Sequence, residues 1–180
     1  MTFRILTVCT GNMCRSPLAE RLIAARAAEH DLAVAVSSAG THARNGEDLH
    51  PETARLCMEM GADPSEFSSR LITAGNTSGT DLTLTAETSH RDAVQQLVPT
   101  LWKRVFTLRE FELLARASPH TDVRGLARQR RSVTEERLDI EDPIGKSIDV
   151  FNRTGNEISV AVEAVIRFLV QRRDTSFKSW

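Results

Sequence analysis

The chain has 180 residues, 41% hydrophobic and 26% charged, with 23 basic side chains against 24 acidic ones and a formal net charge of −1. That balance offers no basic face for nucleic acid and no cationic patch for a membrane surface, and no run approaches the roughly 20 apolar residues of a membrane span. Three cysteines, an odd number, suit a reducing cytoplasm, and the N-terminus lacks the long apolar stretch and cleavage site of a signal peptide.

A length of this size predicts one domain, residues 1–180. Residues 3–8 read as a first strand, followed by the loop Cys9-Thr10-Gly11-Asn12-Met13-Cys14-Arg15-Ser16. Pro17 then opens a helix, where its missing N–H costs nothing. Leu18, Leu22, Ile23 and Ala25 to Ala28 give that helix one apolar face, ending near His30. Residues 33–36 read as a short second strand closed by Ser37-Ser38-Ala39-Gly40. A polar loop, residues 41–50, leads to Pro51 and a helix with Leu56, Cys57 and Met60 on one face and Gly61 as its stop. Residues 81–85 predict a third strand, and Ala93, Val94, Leu97 and Val98 the inner face of the helix after it. Residues 104–107 predict a fourth strand, and Phe111, Leu113 and Leu114 begin another helix. Phe151, Ile158, Val162, Val165 and Leu169 recur at helical spacing in a last helix. Strands alternating with helices predict an α/β fold, a parallel sheet covered on both faces.

Residues 118–137 break the alternation, with Arg124, Arg128, Arg130, Arg131 and Arg137 among Asp122, Glu135 and Glu136. The mixed charge reads as a solvated loop or short surface helix. A basic rim that attracts anionic substrates is the sharper alternative.

The chemistry concentrates in the first loop. A strand, a tight turn and a helix N-terminus together form a cradle of main-chain N–H groups suited to a tetrahedral oxyanion. Thr10, Gly11, Asn12, Met13, Cys14, Arg15 and Ser16 would line it. Cys9 at its floor faces aligned amide dipoles, which favour thiolate over thiol. The guanidinium of Arg15 can bind two phosphate oxygens at once. Phosphate held over a thiolate means phosphoryl transfer to sulfur. A zinc site is the weaker rival: the only other cysteine is Cys57, no Cys-x2-Cys pair occurs, and the five histidines are scattered.

Transfer to Cys9 requires a proton for the leaving oxygen, and therefore an acid remote in sequence but close in space. Asp139, Glu141 and Asp142 all stand in one late loop, and Pro143 biases Asp142 towards an extended conformation. Spacing alone does not choose among the three.

The loop from Cys9 to Ser16, the stretch Ser38-Ala39-Gly40-Thr41, the strand at residues 81–85 and the late Asp142-Pro143 together resemble the low-molecular-weight protein tyrosine phosphatase family. The resemblance covers nearly all of the chain. It implies a single three-layer domain with a four-stranded parallel sheet flanked by helices, and a phosphomonoester hydrolase that works through a phosphocysteine. It assigns Cys9 as nucleophile, Arg15 as phosphate clamp and Asp142 as general acid, with no metal or organic cofactor. Ser16 would donate to the thiolate, and Asn12 would hold the loop in shape, braced by Ser38. Cys14 would form a reversible disulfide with Cys9. The alternative for Cys14, read from the residues alone, is a small apolar side chain packed under the loop.

Departures from the family bear on the substrate. Aromatic walls are expected after the second strand, where this chain has Ala43-Arg44-Asn45, and after the Asp-Pro, where it has Ile144; it contains no tyrosine. Arg44 could instead meet a second acidic group on the substrate. A histidine that buttresses the loop in relatives is replaced near Phe67. The expected substrate is a phosphorylated protein or a small phosphomonoester, and the oligomeric state is left open. Arsenate reduction with a small-molecule thiol, hydrolysis of a non-tyrosyl phosphate and a phosphate-reading module without turnover are the alternatives. Residues 72–92 hold no cysteine pair for a thioredoxin relay, and a binding module has no use for Asp142.

Overall fold

A computed structural model describes residues 2–130, 133 and 138–176. Four strands, β1 (Phe3–Cys9), β2 (Val34–Gly40), β3 (Leu82–Thr85) and β4 (Val105–Thr107), form one sheet in the order β2-β1-β3-β4. All three pairings are parallel, with Cys9 opposite Gly40 and Val8 opposite Thr85. The helices are α1 (Arg15–Glu29), α2 (Pro51–Glu59), α3 (Ala74–Thr77), α4 (Thr88–Leu97), α5 (Leu108–Ala117), α6 (Val123–Arg128) and α7 (Ile148–Ser176). The α/β alternation expected from the sequence is therefore present. The second strand runs on through Ser37 to Gly40, because those residues continue the ladder with β1. The short α3 lies in a stretch that carries no apolar periodicity, and its Thr73 capping box holds it.

Alternation along β1 divides the core. Ile5 joins Leu22, Phe106, Phe111, Ile158 and Phe168 on one face. Leu6 and Val8 pack with Val94, Leu101 and Val105 on the other. Burying such side chains, at about 25 cal/mol per Å² of apolar surface, is what holds helices on both faces. Among the described residues no helix is long and apolar enough to cross a membrane.

The described part of the arginine-rich segment contains the short surface helix that was one of its two expected forms, α6. α6 buries Val123 and Leu126, while Arg124 and Arg128 remain exposed. Arg130 lies over the ring of Phe106, with its guanidinium carbon 4.4 Å from the centroid, and pairs with the buried Glu110 at 3.1 Å. An arginine can satisfy both a ring face and a carboxylate, which charge counting does not reveal. Arg131, Glu135, Glu136 and Arg137 lie outside the described residues.

The chain enters β2 on one side of β1 and β3 on the other. That reversal opens a crevice at the carboxyl ends of β1 and β3, where ligands bind in open α/β sheets. The loop after β1, the turn after β3 and the late acidic loop all end there.

Candidate active site

The segment from Thr10 to Cys14 links β1 to α1 without secondary structure of its own. Among the described residues, none of its five main-chain N–H groups donates to a protein acceptor. Those donors, with the amide dipoles of α1 behind them, suit an anion. Cys9, buried at the end of β1, has its Sγ 3.0 Å from Ser16 Oγ. Asn12 Nδ2 donates to the same Ser16 oxygen at 3.0 Å, which leaves the Ser16 hydrogen for the sulfur or for the Ala39 carbonyl at 3.2 Å.

Asn12 fixes the bend of the loop. Its φ of 53° lies in the left-handed region, which asparagine tolerates better than most residues. Its side chain also donates to Ser38 Oγ at 2.8 Å and accepts from the main-chain N–H of Arg70 at 2.8 Å. Ser38 in turn donates to Glu20 Oε2 at 2.5 Å. The buttress sought near Phe67 is thus a main-chain amide three residues on, a donor that no residue type could announce. The Phe67 ring instead lies 5.8 Å from the Arg21 guanidinium carbon. Gly40 matters for a different reason: a Cβ there would sit 2.4 Å from the Thr10 carbonyl and 2.8 Å from the Asn12 nitrogen. Thr41 and His42 continue the seam, donating through their N–H groups to the carbonyls of Cys9 and Thr10 at 2.9 Å each.

Arg15 is 1% exposed although it carries a charge. Its Nη1 meets Glu87 Oε1 and the Ile140 carbonyl, the latter at 2.8 Å. Its Nη2 meets Asp142 Oδ2 at 2.7 Å and Thr10 Oγ1 at 3.4 Å. Two carboxylates and two neutral oxygens make the burial of the cation tolerable.

The three late acids separate by their contacts. Asp139 accepts from the N–H of Thr88 at 2.7 Å, at the start of α4. Glu141 is held by Lys146 at 2.7 Å and Arg153 at 2.6 Å, and their hydrogen bonds bring its carboxyl down to about 2. Asp142, with its side chain 40% exposed, alone touches Arg15.

Two site residues escaped the sequence reading. Glu87 is the N-cap of α4, directly after β3, and His90 lies in the first turn of α4. His90 Nε2 is 2.9 Å from Thr10 Oγ1, and burial holds its pKa below the ordinary value of 6.5, with the Arg15 charge adding to burial and Glu87 opposing it. The rule that sites gather at the carboxyl ends of neighbouring strands was the available signal for both.

Cys14 faces away from solvent, in the core cluster under α1. Burial pushes its thiol up to about 12, against a hydrogen bond with Thr53. Cys57 is likewise buried and pushed up to about 11. At the positions where aromatic walls were expected, Arg44 is exposed, Ala43 is buried and Ile144 is 48% exposed.

The sequence matches the family model described as low molecular weight phosphotyrosine protein phosphatase over residues 4–125. A protein-arginine-phosphatase of Bacillus subtilis (strain 168) is 29% identical over 169 residues, covering 94% of this chain and 98% of that protein. A probable low molecular weight protein-tyrosine-phosphatase, EpsP, of Ralstonia nicotianae is 31% identical over 136 residues, covering 76% of this chain and 86% of its own. Among solved structures, a low molecular weight protein tyrosine phosphatase from T. tengcongensis superposes with a TM-score of 0.74 at 28% identity, covering 92% of this chain and 98% of that one.

Proposed function

Since the chain belongs to the low molecular weight phosphotyrosine protein phosphatase family and is a cysteine-dependent phosphatase, we propose that it dephosphorylates protein side chains by way of a phosphocysteine at Cys9. The observation that carries this reading is the set of free N–H groups from Thr10 to Cys14 around a buried cysteine sulfur, beside a buried guanidinium.

In the proposed reaction the phosphate settles among those amides, with the guanidinium of Arg15 across two of its oxygens. The Cys9 thiolate, stabilised by the Ser16 hydroxyl, attacks phosphorus as the bond to the leaving oxygen breaks. Asp142 gives its proton to that oxygen. Water then attacks phosphorus, Asp142 takes a proton from it, and the S–P bond breaks to return the thiolate and free phosphate. The transfer step needs a protonated Asp142 and an ionised Cys9 together, so activity peaks in pH and falls on both sides.

Phosphotyrosine in proteins is the first substrate proposed. Phosphoarginine is the second reading, and one observation favours it: the partly exposed Asp142 carboxylate stands beside Arg15, where a guanidinium leaving group would be welcome. The protein-arginine-phosphatase match along 94% of the chain agrees. Comparing kcat/KM on phosphotyrosyl and phosphoarginyl versions of one peptide decides between them. Arsenate with a thiol donor and sugar phosphates complete the panel, and turnover of arsenate alone would overturn the proposal. Cys14 is proposed to resolve an oxidised Cys9 as a disulfide, and three buried free thiols suit a cytoplasmic setting.

A further inference from the structure

We infer that Glu87 is a positioning residue for phosphate capture, fixing the far side of the Arg15 guanidinium so that its near side stays turned towards the loop. The inference rests on the reading of Arg15 as the phosphate clamp. The two terminal nitrogens of Arg15 have different surroundings. Nη2 faces the loop, through Thr10 at 3.4 Å, and the partly exposed Asp142. Nη1 faces away, into Glu87 and the Ile140 carbonyl. An arriving dianion can take over the contact that Asp142 makes, because that carboxylate is at the mouth. The contacts on Nη1, to Glu87 and a main-chain carbonyl, are on the other nitrogen and can stay in place as it binds.

Glu87 is itself held in place. Thr85 Oγ1 donates to its carbonyl at 2.9 Å, and Ser89 Oγ donates to Oε2 at 3.3 Å. The same turn is tied to the acidic loop by Ile140 N–H to the Ala86 carbonyl at 2.9 Å and by Thr88 N–H to Asp139 at 2.7 Å. A single turn thus sets both the angle of the clamp and its distance from Asp142. Residue 87 acts through Arg15 and touches no reacting atom.

The test uses Glu87→Ala and Glu87→Gln beside the unchanged protein, with inorganic phosphate as probe. Its affinity is read directly by calorimetry and as a competitive inhibition constant, and Tm is measured alongside. Losing a charge-assisted hydrogen bond to the clamp should weaken phosphate binding about tenfold in Glu87→Ala. Glu87→Gln keeps an acceptor oxygen and should fall between the two. KM for an aryl phosphate should rise in step with the inhibition constant, a change that a purely structural role would not produce in a protein with unaltered Tm. Unchanged or tighter phosphate binding in a folded variant overturns the inference, the tighter result marking Glu87 as a competitor for the clamp. If Glu87→Ala does not fold, Glu87→Gln decides alone. Failure of the unchanged protein to bind phosphate or turn over the aryl ester would instead overturn the functional reading beneath it.

Discussion

Asp142 Oδ2 lies 2.7 Å from Nη2 of Arg15, so the proposed proton donor is paired with the proposed phosphate clamp when the site holds no substrate. In the proposed reaction, phosphate parts the pair by taking over the guanidinium contact, and the Asp142 carboxyl turns to the leaving group.

Asp142→Asn keeps the size of the side chain and removes the proton. Its kcat should fall by about 10² to 10⁴ on substrates with poor leaving groups, and much less on an activated aryl phosphate. The alkaline limb of the pH profile should flatten, since that limb records loss of the acid. Equal losses on both leaving groups would remove Asp142 from the proton-transfer role.

Ser16→Ala should slow alkylation of Cys9 by iodoacetate several-fold at neutral pH. The hydroxyl 3.0 Å from the sulfur is a donor that favours thiolate, and alanine leaves the sulfur without it. The acid limb of the kcat/KM profile should move to higher pH. Mass spectrometry of the adduct and the profile itself check this, and an unaltered alkylation rate would contradict it.

Gly40→Ala should destabilise the protein by about 1–3 kcal/mol and weaken phosphate binding with it. The added carbon would lie 2.4 Å from the Thr10 carbonyl, so the loop must shift for it to fit. Thermal unfolding and phosphate calorimetry on the same sample would show the two losses together.

Of the three cysteines, only Cys9 should alkylate rapidly at neutral pH. Cys14 and Cys57 keep their protons because burial pushes them up to about 12 and about 11, from an ordinary thiol value of 9.0. The same burial has a consequence for stability. Above pH 9 the unfolded chain releases both protons while the folded one retains them. Stability from these groups is therefore full below pH 9 and falls as pH rises through 11 towards 12. Denaturant unfolding at pH 8 and pH 10.5 checks the sign, about one unit below and one to two above that ordinary value. In Cys57→Ala the slope should be shallower.

The residues between Cys9 and Ser16 were legible because their meaning is local. A strand, a glycine-bearing turn and a helix start are set by neighbours in the chain, and the sulfur, the amides and the guanidinium arrive together within eight residues. The four strands were legible for a similar reason, since apolar runs and turn residues follow from short-range backbone geometry. Their boundaries moved by a residue or so except in β2, where Ser37 to Gly40 continue a ladder that only the presence of β1 makes possible.

Asp139, Glu141 and Asp142 are chemically near-identical and nearly adjacent, so composition and spacing could not rank them. The fold does so by distance, sending one to the start of α4, one to a lysine and an arginine, and one to Arg15. Glu87, His90 and the Arg70 amide act across 72, 80 and 58 positions of chain respectively. The sequence by itself determined the strand, loop and helix that carry Cys9 and Arg15 and the layered α/β architecture, because both follow from interactions between near neighbours. Which carboxylates hold the guanidinium, and which way it points, was decided only when the sheet brought the ends of β1 and β3 side by side.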